Sequence, residues 1–199
     1  MSKIKFNPRT LTLILFIVVI GLSRVLIPLI GDLVGLANYS AVGALAIFSA
    51  AYFNKTKSFS LPILTLLLSD VVLSMTVYKS YSNGFLYEGW YWVYIAFALM
   101  VVVSKVIMSK VNASGFLLAT LTTVFIHWIV TDFGIWYGSA SYPQTLAGFW
   151  IVLNKAIPFE FRFLCGTLGY GLVMFGMFEA LTAKFPALNL SAKQSAVSH

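Results

Sequence analysis

Runs of about 20 predominantly apolar residues recur along this chain. Nothing else restricts its fold as strongly, because that is the length a helix needs to cross a hydrocarbon layer of about 30 Å. Residues 11–30, LTLILFIVVIGLSRVLIPLI, are the first such run. Composition agrees: of 199 residues, 60% are hydrophobic and only 10% charged, with mean hydropathy +0.91. A soluble domain carries roughly 25% charge. A chain this poor in charge cannot cover its own surface for water, so it reads as one integral membrane domain over 1–185, followed by a flexible cytoplasmic tail at 186–199.

Apolar length and turn punctuation predict an all-α bundle of six transmembrane helices at about 11–30, 38–53, 59–78, 90–109, 113–132 and 159–183. The second, NYSAVGALAIFSAAYF, is short and rich in small residues, and needs thin surroundings or neighbours that bury its ends. Pro143 and Pro158 bracket QTLAGFWIVLNKA, about 13 residues and too short to span, which reads as an interfacial or re-entrant helix before the last span. The N-terminus imitates a signal peptide, but its apolar residues continue to Ile30 without a small-x-small cleavage site, so it reads as an uncleaved first helix.

The net charge of +7 is a topology signal and not a nucleic-acid footprint. Lys3, Lys5, Arg9, Lys55, Lys57, Lys105, Lys110, Lys184 and Lys193, 9 of the 13 basic residues, fall on one side of the six-span arrangement. Asp32, Glu88, Asp132 and Glu160 fall on the other. The positive-inside rule then places both termini in the cytoplasm. Trp90, Tyr91, Trp92, Trp136, Tyr137 and Tyr142 gather near the outer side, as an aromatic belt does.

Against this background the polar residues inside the spans stand out. Asp70 lies in ILTLLLSDVVLSMT, some ~12 Å below the outer end of its span at ~1.5 Å per residue. Asp70, Ser74 and Tyr78 form one stripe at intervals of four. On span five Thr120, Thr123, His127 and Thr131 form a second, with Asp132 beyond it and His127 ~7 Å below the end. Arg24 on span one lies at a similar depth, about 9 Å. Ionisable groups at such depth face protein or water. Three readings stay open: Asp70 neutralises Arg24 structurally; Arg24, Asp70, Ser74, Thr123, His127, Trp128, Asp132 and Tyr142 line an outward pocket for a small molecule; or Asp70 and His127 relay protons. Trp128, Trp136 and Tyr142 are candidates for stacking on a ring-shaped ligand, or are belt residues only. Asn154, Lys155, Glu160 and Arg162 read as a solvated rim at the outer end of span six, Lys105 as snorkelling to the inner interface, and Glu179 as interfacial. The glycines of span six read as close helix packing, with docking of a partner as the alternative.

No P-loop, His-Glu-x-x-His, Gly-x-Ser-x-Gly or kinase signature occurs, and no nucleophile–base set, so no enzyme activity and no cofactor is expected. Cys165 is the single cysteine, and His199 is the one histidine besides His127, so no metal site is expected. Any pumping energy must come from an ion gradient or another subunit.

Residues 38–53, followed by SLPILTLLLSD at 60–70, resemble a family of bacterial membrane proteins known as a domain of unknown function. Tyr142–Pro143–x–Thr145 with Gly148, and Ala156–x–Pro158–Phe159, extend that resemblance, while Ala41 stands where the family pattern has proline. The resemblance implies a bacterial inner membrane. More distantly, the length, the six helices, the short second span and the outer polar cluster are similar to the S component of energy-coupling-factor transporters. This implies a substrate-capture subunit for a vitamin-like micronutrient, working with a transmembrane coupling subunit and its ATPases. The Ala-x-x-x-Ala motif of that family's first span is absent here; the spacing recurs at Ala37–Ala41 and Ala46–Ala50, at or in span two. A self-contained proton-coupled carrier and a non-transporting membrane assembly subunit are the other expectations.

Overall fold

The computed structural model describes residues 8–30, 39–53, 56–81 and 85–188. Lys3, Lys5, Asp32, Lys55, Lys193 and His199 lie outside them. Six helices and no strand occur among the described residues: α1 (Pro8–Leu29), α2 (Val42–Tyr52), α3 (Lys57–Met75), α4 (Trp90–Ile107), α5 (Ala113–Trp136) and α6 (Leu146–Lys184). All but α2 are long and apolar enough to cross a membrane. Their outward faces stay apolar: Leu11, Leu15, Val18, Leu22 and Leu26 of α1 are each about half exposed. In water such a surface would aggregate; in lipid it is solvated.

α2 holds the bundle together. Its 11 residues rise only about 17 Å, and every residue from Val42 to Ala50 is buried. It packs against all five other helices. Small residues permit this approach: a Cβ on Gly43 would collide with the Thr167 side chain of α6. Phe48 fills the core beside its C-terminal half, with its ring 5.3 Å from Phe175 and 5.8 Å from both Phe16 and Phe178. Of the two remedies for a short span, this one has neighbours that bury it. Its C-terminal end meets Lys105 of α4, whose Nζ donates to the Phe53 carbonyl (3.2 Å) and Ser58 Oγ (3.1 Å). A cation there opposes the negative end of the α2 dipole. Lys105 is therefore a buttress between α2, α3 and α4, more than a snorkelling side chain. Lys105→Met is expected to destabilise the fold by about 2 kcal/mol, the scale of a hydrogen bond to a charged group, read from unfolding in lipid nanodiscs.

The expected helix ends need three corrections. α3 stops at Met75, and Tyr78 closes the turn with its N–H on the Leu73 carbonyl (2.8 Å), so the Asp70–Ser74–Tyr78 stripe leaves the helix after Ser74. α5 runs four residues beyond its expected end, which puts His127 about 14 Å from the terminus. The separate interfacial helix before the last span does not exist. Leu146–Lys184 is one helix of 39 residues, about 58 Å long, with Pro158 inside it. Proline removes the N–H that would bond the Asn154 carbonyl. Asn154 is exposed, so polar surroundings can serve that carbonyl and the helix continues. α5 and α6 begin at side-chain caps, Asn112 on the Gly115 N–H (2.7 Å) and Thr145 on the Gly148 N–H (3.3 Å).

Residues 186–188, assigned to the tail by sequence, form a 3-10 turn packed on α1 and α6. Leu188 is buried and its carbonyl accepts from Arg9 Nη1 at 2.6 Å. At the same end Tyr52 donates to Glu179, and the Arg9 guanidinium lies over the Phe178 ring.

Candidate functional site

Away from that end, α1, α3, α5 and α6 bring their ionisable residues together around a cavity of about 430 Å³. Arg24 of α1 pairs with Asp70 of α3 at 2.5 Å between Nη1 and Oδ1, and also donates to Ser69. Asp70 is 1% exposed and stands behind the cavity wall; its Oδ2 accepts from the Tyr94 hydroxyl of α4 at 3.1 Å. Tyr87, on the loop before α4, lines the cavity. Burial first, then the charge of Asp70, raises its phenol above the usual tyrosine range, which keeps it a neutral donor. Arg24 thus reaches the cavity with its charge already balanced and one edge of the guanidinium held in place.

The opposite wall comes from α5 and α6. His127 Nδ1 lies 2.8 Å from Glu160 Oε1, and its ring stacks on Phe163 with centroids 4.2 Å apart. His127, Glu160, Phe159 and Phe163 all line the cavity. Glu160 is only 8% exposed, and its second oxygen has no hydrogen-bond partner among the described residues. The rim reading of Glu160 is overturned: it belongs to the buried face of α6. Glu160, Phe163, Thr167, Gly171, Met174 and Phe178 follow at intervals of three and four, a stripe visible once 146–184 is treated as one helix. Asp132 of α5 is 4% exposed, and one of its oxygens has no hydrogen-bond partner among the described residues. Ser40 and Val42, at the start of α2, complete the lining together with Pro28, Leu73, Tyr78 and Val93.

Of the residues singled out in the sequence, Arg24 and His127 line the cavity, and Asp70 supports Arg24 from behind. Ser74 is buried and Asp132 lies adjacent, but neither forms part of the wall. Thr123 faces Ser104 of α4 at 3.5 Å. Trp128 ties α5 to α6 through the Leu153 carbonyl (3.0 Å), and Tyr142 lies under Lys155 Nζ, 5.1 Å from its ring centre. Thr120 and Thr131 spend their hydroxyls on the carbonyls of Phe116 and His127 in their own helix, so half of the α5 stripe is self-satisfied. Among the described residues no group of three or more His, Cys, Asp or Glu is placed to hold a metal ion.

The sequence model of one family, a family of unknown function (DUF6580), matches residues 4–188. No curated protein and no solved structure matches the chain.

Proposed function

The chain belongs to DUF6580, a family of unknown function whose membership assigns no ligand, and from its own residues we propose that it captures a small molecule at the outer face of a bacterial inner membrane. The observation carrying this is the cavity lined by all six helices, which joins Arg24, His127 and the buried Glu160 to apolar and aromatic walls. A volume of about 430 Å³ is in the range of small-molecule sites, which run from ~300 to ~1,000 Å³. The basic bias puts the Arg9–Lys105 end in the cytoplasm, both termini inside and the cavity outside. α2, extended by its flanking residues, then serves as the sixth crossing. In this reading the protein is the substrate-capture subunit of a transporter, with the transmembrane coupling subunit and ATPases supplied by other chains.

Native mass spectrometry of the protein released from nanodiscs tests the reading. A stoichiometric co-purified small molecule is expected, lost in the Arg24→Met/Asp70→Leu double variant, which empties the polar wall without leaving a buried charge. A clean apo mass from wild type under gentle release, with no small molecule in the lipid extract, counts against it. The His127–Glu160 pair favours one second reading, a self-contained proton-coupled carrier. Proton movement across proteoliposomes on ligand addition, without other subunits, would select that reading.

A further inference from the structure

The cavity is lined by an arginine from α1 and a carboxylate from α6. Arg24 is held by Asp70 and Ser69. The start of α2, where Ser40 Oγ accepts the Val42 N–H at 3.3 Å, also lines the cavity, packed against Gly166 of α6. The guanidinium N–H groups that Asp70 and Ser69 do not use suit a carboxylate-sized anion.

On the α6 side Glu160 pairs with His127 alone, and no described Lys or Arg pairs with it. Lys155 and Arg162 lie over the rings of Tyr142 and Phe159. α2 carries no charged residue, α4 has Lys105 at its far end bonded to Phe53 and Ser58, and Glu88 lies on the exposed loop before α4. A buried carboxylate without a Lys or Arg partner is costly. Glu160 is more than nine-tenths buried, faces the cavity and keeps one oxygen unpartnered. An ammonium group delivered by a ligand supplies the missing charge, and the Phe159 and Phe163 rings accommodate the adjoining apolar body.

We propose that the ligand is a zwitterion of amino-acid type, its ammonium group held by Glu160 and its carboxylate by Arg24. This rests on the small-molecule reading above and narrows it to one chemical class.

Three probes with one carbon skeleton separate the charges: phenylalanine, phenethylamine without the carboxylate, and 3-phenylpropionate without the ammonium group. Calorimetry on wild type in nanodiscs is expected to show phenylalanine binding at least tenfold more tightly than either analogue. Glu160→Gln should weaken phenylalanine and phenethylamine at least tenfold while leaving 3-phenylpropionate within about twofold. Equal binding of phenylalanine and 3-phenylpropionate identifies an anion site, and equal binding of phenylalanine and phenethylamine a cation site. Either overturns the zwitterion and leaves the capture function standing. If no probe binds, the co-purified mass decides: a zwitterion upholds the proposal, while a neutral or singly charged molecule overturns it. With no probe bound and no co-purified molecule, the proposal and the capture function fall together. The wild-type comparison needs no variant, so a poorly folding Glu160→Gln does not obscure the result.

Discussion

Asp70→Leu is expected to destabilise the protein by about 3–5 kcal/mol, because it strands the Arg24 guanidinium, 17% exposed, in the bundle without its counter-charge. Tyr94 loses its acceptor in the same step. The double variant Arg24→Met/Asp70→Leu removes both charges and should return to within about 1 kcal/mol of wild type, since a buried ion pair itself contributes little net stability. Unfolding of the two variants in the same lipid nanodisc measures this. A loss under about 1 kcal/mol for Asp70→Leu would mean that Arg24 turns into the cavity and is solvated there.

Gly148→Ala should be nearly as damaging although it adds one methyl group. The new Cβ would overlap the Pro143 carbonyl, which is backbone and has no rotamer to retreat into. The same carbonyl accepts from Trp136 Nε1 at 2.9 Å, so relieving the clash breaks the tie between the end of α5 and the start of α6. Overpacking of this kind costs roughly 1–3 kcal/mol, and the lost hydrogen bond adds about 1 kcal/mol. A melting temperature unchanged within error, with unchanged tryptophan emission, would refute it. Gly169→Ala is the matching control: nothing lies within 4 Å of its added Cβ.

Much of this architecture was legible from residue order. Apolar length finds four of the five long helices and the second part of α6, because a run of 18 or more apolar residues in lipid satisfies its backbone as a helix. Arg24 and Asp70 were suspected of pairing because each was isolated in an apolar run at similar depth, and the ion pair exists. Glu160 is hidden in the sequence by Pro158, two residues earlier: a helix broken there puts Glu160 at an exposed terminus, whereas the continuous α6 puts it on the buried face. Proline is tolerated inside a membrane helix where its surroundings serve the freed carbonyl. Tyr87 could not have been placed, since loop residues carry no periodicity to report a facing direction. The threonines of α5 misled for a related reason: hydroxyls at helical spacing look like a polar face, yet two of them bond the preceding turn of their own helix.

The central position of α2 bears on how the protein is made. α2 is synthesised before α3, α4 and α5, yet one of the faces it packs on belongs to α6, which follows them in the chain. Until residues 146–184 have left the ribosome, Gly43 lacks Thr167 and Phe163 opposite it, and Phe48 lacks the rings of Phe175 and Phe178. A helix of 11 residues is also a poor candidate to be inserted alone. On these contacts α2 cannot complete its packing until α6 has been made. A nascent chain stopped before α6 is, on these contacts, a substrate for quality control and not a smaller version of the same protein.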